Sequence, residues 1–298
     1  MQLLHPQTVA ANASYVSPTP DSHQVRFVLV APASARLPLD FQKVRCEPSR
    51  HAQLVAKMQR FRGSVYVQDG AVDRSHLSLD GRHRVAVDED SWHLLAVNAS
   101  EEVQGCVRYC AHGSDARFRD LWVRHSALAT CRTWGDAFRK AVEAELQQAR
   151  QRRVSYVEVG GWAIAPERRC TMEAARTAIA TYSLARILGG CLGITTATVR
   201  HASSTLLRRI GGSALRTEVG ELPAYYDPQY ACDMEVLRFD SEDPAPRYQN
   251  LVDRLLEDIL EVPVVCRHKP RSLWAQACQP ARFPAAPASA DLWAAQIA

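Results

Sequence analysis

The chain has 298 residues, of which 47% are hydrophobic and 23% charged, and its formal net charge is +4. This composition predicts a soluble globular protein with a sizeable core, and the charge is too small to indicate nucleic-acid binding by itself. No stretch approaches the roughly 20 apolar residues of a membrane span. The first residues lack the basic and apolar regions of a signal peptide, so we expect a cytoplasmic protein without a transmembrane segment.

Nine cysteines are spread along the chain without a CxxC pair. We interpret them as core thiols rather than as metal ligands or disulfides, so no metal site is predicted. The sequence also lacks the HExxH, Walker and GxGxxG patterns and the GxSxG turn of a serine nucleophile. These absences disfavour zinc proteases, nucleotide-binding folds of those types and serine hydrolases.

The N-terminal third begins with residues 1–22, which are rich in Pro, Ser, Thr and Ala and are expected to be disordered. Residues 25–30 predict a strand, and the apolar spacing from 49 to 61 predicts a helix that leads into an arginine. Residues 92–97 and 106–110 are predicted to be the two strands of a β-hairpin.

The central part of the chain predicts a strand–helix–strand unit. Residues 111–132 show no clear period and are expected to form a long irregular segment, an excursion between regular elements. A helix from about 134 to 149 follows it. Residues 154–162 then predict a strand with a glycine bulge. A helix over 171–188 leads to a second strand, 193–199, parallel to the first.

The C-terminal part predicts three further features. Ser203 or Ser204 is expected to N-cap a short helix, and residues 232–239 to add a last strand. Residues 245–262 carry a wide apolar stripe that predicts an amphipathic helix packed on the domain or on a second subunit. The segment 265–298, rich in Ala, Pro and Arg, is expected to be a flexible tail.

The order strand, bulge, basic loop, helix, parallel strand, helix resembles the acyl-thioester-binding half of the GNAT acyltransferase superfamily. The sequence is most similar to two of its branches, the acyl-homoserine-lactone synthases and the bacterial long-chain N-acyl amino acid synthases. The resemblance covers residues 23–240, from about Val25 to Asp240. It implies an α/β fold with a mixed central sheet flanked by helices and with two splayed parallel central strands.

Two departures from the family motifs refine this expectation. In the lactone synthases a strand glutamate is followed three residues later by an arginine and then by an aromatic residue. Glu158 and Trp162 match, but the arginine position is Gly161, which favours an N-acyl amino acid over a lactone as product. The glycines of the GNAT pyrophosphate loop are missing after Arg168 and Arg169. An acyl carrier protein, which presents an acyl-phosphopantetheine arm, is therefore favoured over coenzyme A as donor.

The resemblance implies an N-acyltransferase without a bound cofactor. It would move a long-chain acyl group from acyl carrier protein to the α-amine of an amino acid, or of a similar small amine, by direct attack. Two alternatives remain: an acyl-CoA-dependent acetyltransferase acting on a small amine, and a non-catalytic GNAT-like binding module that contacts nucleic acid. Turnover of acetyl-coenzyme A would indicate the first, and a salt-dependent DNA shift without acyl transfer the second.

The motif positions assign roles to individual residues. Glu158 lies just before the glycine bulge, where its carboxylate can accept the ammonium proton, so it is the predicted catalytic base. Amide groups left unpaired by the bulge are predicted to bind the oxyanion and the acyl thioester. That group consists of Gly160, Gly161, Trp162, Ala163 and Ile164. Docking of the pantetheine arm and the carrier is assigned to Arg168, Arg169, Thr171 and Arg200. Acceptor binding is assigned to Asp88, Arg108 and His201.

Three arginine pairs border the central unit, at residues 152–153, 168–169 and 208–209. A basic rim of this kind would steer an acidic carrier protein toward the thioester site. The alternative is that these side chains are ordinary solvated surface. For Glu158 the structural alternative is an ion pair with a nearby arginine such as Arg108.

Overall fold

A computed structural model of the protein describes residues 25–33 and 37–268. Twelve strands lie in this part of the chain, and several of them are only two to four residues long. In chain order they are β1 Arg26–Val30, β2 Lys43–Cys46, β3 Trp92–Val97, β4 Val103–His112, β5 Ser155–Ile164, β6 Cys191–Thr198, β7 Ser213–Ala214, β8 Arg216–Thr217, β9 Gly220–Glu221, β10 Tyr225–Asp227, β11 Cys232–Asp240 and β12 Pro263–Cys266.

Five α-helices accompany these strands in the described residues. They are α1 Pro48–Gln68, α2 Gly135–Arg152, α3 Met172–Ile187, α4 Ser203–Ile210 and α5 Gln249–Leu260. Among them we find no helix whose length and apolar character would suffice to cross a membrane.

Nine strands form one continuous sheet in the order β10-β11-β6-β5-β4-β3-β1-β12-β2, and β7 pairs separately with β11. Strands β5 and β6 are parallel, as are β1 with β12 and β12 with β2, whereas the remaining pairs are antiparallel. The predicted mixed sheet flanked by helices is therefore confirmed.

The parallel strands β5 and β6 separate partway along their length. They are paired from Ser155 opposite Cys191 to Glu158 opposite Ile194, and no pairing continues beyond that point. Because β5 runs on to Ile164, its far half presents an edge to β6 without a ladder partner. The predicted splay of the two central strands is confirmed.

A bulge in β5 lies next to this separation. The register with β4 shifts between Arg108, which pairs with Gly160, and Cys106, which pairs with Ala163, so β5 contains one extra residue. Gly161 within this stretch has a φ of +61°, a left-handed conformation that glycine adopts without steric cost. The predicted glycine bulge is thus present.

The sheet separates hydrophobic clusters on its two faces. Leu29 and Val157 point to the face covered by α3 and α5, where they join Ile179 and Leu255. On the opposite face one cluster gathers residues of α2 and another gathers residues of α1.

The start of α4 differs from the prediction. Ser203 is the first residue of the helix, and the N-cap is Ala202, at φ +57° and without a side-chain capping hydrogen bond. The chain enters α4 directly from a 3-10 turn over Arg200–Ala202, so neither Ser203 nor Ser204 occupies the capping position. The predicted serine cap is wrong.

The sheet extends beyond the predicted domain end at residue 240. The predicted helix is observed as α5, and the chain then enters β12, which lies between β1 and β2. Val265 and Cys266, which the sequence placed in a flexible tail, are residues of this strand. A four-residue strand carries too little pattern to be recognised. The predicted disordered segment 1–22 and the tail from 269 lie outside the described residues.

Candidate active site

Glu158 lies where β5 and β6 begin to separate, and its carboxylate is already hydrogen-bonded. Its Oε2 accepts the backbone N–H of Trp122 at 2.7 Å and a ring N–H of His112 at 2.9 Å. Its Oε1 accepts the backbone N–H of Val123 at 2.7 Å. The carboxylate thus joins β5 to β4, which carries His112, and to the 3-10 turn over Trp122–His125, which lies within the segment 111–132.

The contacts of Glu158 and His112 set their charges. Burial alone would raise the pKa of Glu158, but the hydrogen bond and charge of His112 and the two amide donors lower it overall. Burial alone would lower the pKa of His112, whereas its contacts with Cys110 and Glu158 raise it to about 10. The two side chains therefore form an ion pair at neutral pH. A carboxylate whose pKa is lowered is a weak proton acceptor.

A second ion pair, between Arg62 and Asp88, lies on the α1 side of the splay. Both side chains are almost completely buried. Arg62 Nη1 donates to Asp88 Oδ1 at 3.0 Å, and Nη2 donates to Oδ2 at 2.7 Å. Gln59 and the backbone N–H of Val85 complete the hydrogen bonding of Oδ2. The arginine that the sequence placed just after a helix is therefore inside α1, facing the sheet.

Asp88 remains ionised in this setting. Burial alone would raise the pKa of its carboxyl, but the charge and hydrogen bonds of Arg62, with smaller effects of His93 and Arg108, hold that pKa well below its usual range. Burial also lowers the pKa values of His83 and His93 to about 4, so both rings are neutral near pH 7.

Arg108 gives the buried group of Arg62, Asp88 and Arg108 an excess positive charge. Its guanidinium is buried and lies 3.6 Å from Asp88 Oδ1, beyond hydrogen-bonding distance. Within the described residues, Asp88 is the carboxylate that pairs with Arg108, and the Arg108 Nε has no hydrogen-bond partner. Two buried arginines thus share one buried carboxylate. An anionic group entering the splay would complete the hydrogen bonding of Arg108 and neutralise its charge.

The glycine pair of β5 allows both arginines to reach the strand. A Cβ at Gly160 would lie 3.1 Å from Arg108 Nη2, and a Cβ at Gly161 would lie 3.1 Å from Arg62 Nη1. The lactone-synthase motif has an arginine where this chain has Gly161. Here the guanidinium of Arg62, supplied by α1, fills the space beside that backbone position.

The remaining residues assigned to oxyanion and thioester binding lie along the unpartnered half of β5. Trp162 is half-buried against the core under α3, and its carbonyl oxygen is 3.4 Å from the hydroxyl of Tyr66. Ala163 and Ile164 are buried and keep their ladder partners on β4. Their other edge faces the splay, as an acyl-thioester site requires.

The residues assigned to donor docking make internal contacts. Arg168 forms an ion pair with Glu173, and Arg169 forms a two-pronged pair with Asp69 at 2.8 and 3.0 Å. Thr171 is the N-cap of α3, where its hydroxyl accepts the N–H of Glu173. These contacts fix the loop between β5 and α3.

Arg200 connects three loops at the far end of the splay. Its Nη2 donates to the carbonyl oxygens of Gly70 at 3.0 Å and Tyr230 at 3.2 Å. The backbone of His201 lies in the same 3-10 turn, and its side chain is outside the described structure. Of the three residues assigned to acceptor binding, the structure thus brings Asp88 and Arg108 together.

Several residues of the site were not identified by sequence. They are Arg62, His112, Tyr230 and the amide groups of Trp122 and Val123. The backbone amides carry no residue-type signal, and His112 lies outside every family motif. The sequence offered only one indication, an arginine after the predicted first helix.

The arginine pairs at 152–153, 168–169 and 208–209 are largely neutralised. Four of their six members form ion pairs with carboxylates on neighbouring elements. These pairs are Arg152–Asp240, Arg168–Glu173, Arg169–Asp69 and Arg208–Glu235. A strongly basic rim around the splay is therefore not formed by these residues.

No protein-family model and no curated protein matches the sequence. Among solved structures, the chain is similar to a CoA-dependent acyl-homoserine lactone synthase, BjaI, with SAM and isopentyl-CoA. The identity is 13%, the TM-score is 0.50, and the alignment covers 85% of this chain and 99% of that one. The same synthase with MTA aligns with identical values. FeeM, an N-acyl amino acid synthase from uncultured soil microbes, is 13% identical over 74% of this chain and 93% of that chain, with a TM-score of 0.43.

At this identity, the similarity to the lactone synthase establishes a shared fold. It agrees with the order of elements, the bulge in β5 and the separation of β5 from β6. The protein has the GNAT-like acyltransferase fold, in the form also found in an acyl-homoserine lactone synthase.

Proposed function

We propose that this protein is an N-acyltransferase that transfers an acyl group from a thioester to the α-amine of an amino acid. One observation carries the proposal: the splay between β5 and β6 lies beside a buried arginine, Arg108, whose charge is not fully compensated. A cleft for an extended acyl-thioester arm and a receptor for a carboxylate therefore adjoin each other.

The reaction needs few protein groups. The amine nitrogen attacks the thioester carbonyl carbon, a C–N bond forms, and the C–S bond breaks as the thiolate leaves with its electron pair. The attacking amine nitrogen loses one proton during this sequence, and the departing thiolate takes up one proton to leave as the thiol. The unpartnered edge of β5 beyond Glu158 would place backbone N–H donors near the developing oxyanion. No acyl-enzyme is required.

Arg108 is proposed to bind the acceptor carboxylate. A guanidinium donates two parallel hydrogen bonds to a carboxylate, and these are stronger than hydrogen bonds between neutral groups. Because Arg108 is 7% exposed, water competes little for such a contact. Arg62 holds the Asp88 carboxylate in place with two hydrogen bonds. Asp88 in turn orients the guanidinium of Arg108, which lies 3.6 Å away. An amine without a carboxylate would leave Arg108 uncompensated.

Glu158 is proposed to position the turn that carries Trp122 and Val123. The sequence-based prediction of a general base stays a prediction, but three N–H donors already engage this carboxylate and lower its pKa. An efficient base has a pKa near the working pH. These contacts therefore favour a structural role for Glu158, linking β5 to the turn, rather than a role in direct proton transfer.

The donor is proposed to be a long-chain acyl carrier protein. In addition to the missing loop glycines, Glu173 lies in the first turn of α3 and pairs there with Arg168. A carboxylate at a helix N-terminus competes with a phosphate for the same dipole and amide groups. This favours a donor without a pyrophosphate. The neutralised arginine pairs give little support to electrostatic steering of the carrier.

The donor assignment is tested by comparing three thioesters. The purified protein would be supplied with long-chain acyl carrier protein, the same acyl group on coenzyme A, or acetyl-coenzyme A, each with a mixture of amino acids. Mass spectrometry of the products identifies both donor and acceptor. We expect N-acyl amino acids with the highest kcat/KM from the carrier. Efficient use of acetyl-coenzyme A without long-chain transfer would contradict the proposal.

A further inference from the structure

A small cavity lies beside the splay, on the face of the sheet that carries α2. It has a volume of about 40 Å³. Its walls include Trp122, Thr196, Tyr225, Asp227, Tyr230 and Met234. These residues come from the 3-10 turn over Trp122–His125, the unpaired half of β6, and the hairpin of β10 and β11.

The cavity lies near the proposed reaction centre. Thr196 lies two residues beyond Ile194, the last residue of β6 that pairs with β5, so it belongs to the separated part of the strand. Trp122, another lining residue, donates its backbone N–H to Glu158. Whatever occupies the cavity is therefore close to the point where an acyl-thioester arm would pass between the strands.

Asp227 gives the cavity a negative charge. Its side chain is buried, and Oδ1 accepts the backbone N–H of Gln229 at 3.0 Å. Within residues 25–33 and 37–268, no arginine, lysine or histidine forms an ion pair with this carboxylate. The bond to Gln229 stabilises the hairpin turn but leaves the charge uncompensated. A buried charge without a partner is costly, and a cationic group in the cavity would remove that cost.

The aromatic walls suit a cation of this kind. Trp122, His125, Tyr225 and Tyr230 line the cavity together with Asp227, and aromatic faces attract ammonium groups. Tyr230 also links the cavity to the arginine centre. Burial raises the pKa of its hydroxyl, and the charges of Arg108 and Asp227 act on it with opposite signs. Its side chain is therefore within electrostatic range of both charges.

We propose that this cavity receives the ammonium group of the acceptor, with Asp227 as its counter-ion. The inference rests on the proposed function and extends it. The acceptor is a zwitterion recognised at two points, its carboxylate by Arg108 and its ammonium by Asp227. The bound ammonium releases one proton to solvent, and the resulting amine is the nucleophile that attacks the thioester. A volume of about 40 Å³ holds an ammonium with its attached carbon rather than a whole amino acid, so the rest of the acceptor lies in the splay.

The test is binding of acceptors in the absence of any thioester. Calorimetric titration with single amino acids, and with methylammonium chloride as a minimal probe, would compare the parent with Asp227→Asn. Asparagine keeps the oxygen that accepts the Gln229 N–H, so the hairpin should remain intact. The matched control is Asp233→Asn, an exposed position on β11 of the same hairpin.

We expect Asp227→Asn to weaken amino acid binding about 10- to 100-fold, as for loss of a hydrogen bond to a charged group. Asp233→Asn should bind like the parent, and Asp227→Glu should retain part of the affinity. Parent-like affinity in Asp227→Asn, or no binding of any probe by the parent, would overturn the inference. Binding that depends on Asp227 without transfer from any thioester would instead overturn the proposed function alone.

Discussion

The backbone of Gly161 lies so close to Arg62 that a Cβ at the glycine would be 3.1 Å from the guanidinium Nη1. This contact connects the bulge of β5 to the buried ion pair of α1, because Arg62 also holds Asp88. The glycine therefore serves two purposes. It adopts a left-handed backbone conformation, and it leaves room for the guanidinium of Arg62.

Gly161→Ala should lower the free energy of unfolding by more than the cost of placing an alanine in the left-handed conformation of this position. An alanine in the left-handed region costs about 1–2 kcal/mol. Displacing Arg62 from a packed position adds about 1–3 kcal/mol. The free energy of unfolding, measured by urea titration, checks the sum.

Gly70→Ala is the matched control for that substitution. Gly70 has a φ of +63°, close to the +61° of Gly161, but a Cβ at Gly70 would meet no described atom within 4 Å beyond its chain neighbours. Equal losses of stability in the two variants would show that the contact with Arg62 has no energetic effect.

Asp88→Asn should be severely destabilising. It leaves Arg62 and Arg108 buried together without a carboxylate, and removal of one partner from a buried pair costs about 3–5 kcal/mol. Thermal and urea unfolding measure the loss. Asp80→Asn, which disrupts exposed ion pairs with Arg60 and Arg82, should change stability far less. A small loss for Asp88→Asn would argue against the ion-pair network.

The contribution of His112 to stability should depend on pH. Its folded pKa is raised to about 10 from 6.5, so the stabilisation is fully present below pH 6.5 and is lost as pH rises toward 10. Unfolding free energies of the parent and His112→Gln would be compared between pH 6.5 and 10. Their difference should shrink steadily with rising pH. A difference that stays constant across this range would refute the ion pair with Glu158.

Glu158→Gln should lower kcat by about 10²-fold, the scale of loss when reacting groups are displaced by about 1 Å. One amide NH₂ would face the N–H donors of His112, Trp122 and Val123 and displace the turn. The ratio of variant to parent kcat should be the same at pH 7 and pH 9. If higher pH restores the variant toward the parent rate, Glu158 is a base after all.

The elements around the core were predictable because each carries a local pattern. The hairpin of β3 and β4 consists of two largely apolar runs joined by a polar turn. Helix α3 carries an apolar face and is followed by glycines. Even the separation of β5 from β6 followed from a family motif. The strand β12 was missed because its pairing with β1 and β2 is decided by contacts across more than 200 residues.

The site was predictable only where a motif marked it. Glu158, Asp88 and Arg108 were recognised by position, but their partners were not. Glu158 pairs with His112 rather than with Arg108, since Arg108 faces Asp88 instead. Asp227 resembles an ordinary turn residue in the sequence. Its significance depends on its burial and on the lack of a described counter-ion. Both properties are set by residues distant in the sequence, so the residues next to Asp227 do not reveal them.

The most direct test of the account is whether the protein distinguishes an α-amino acid from the corresponding amino acid amide. Transfer from a long-chain acyl thioester would be measured with both acceptors, for the parent and for Arg108→Gln. Arg208→Gln, an exposed ion-paired position, is the control. The parent should prefer the amino acid by about 10- to 100-fold in kcat/KM, and Arg108→Gln should lose that preference. Equal acylation of both acceptors by the parent, or an unchanged preference in Arg108→Gln, would contradict the central claim.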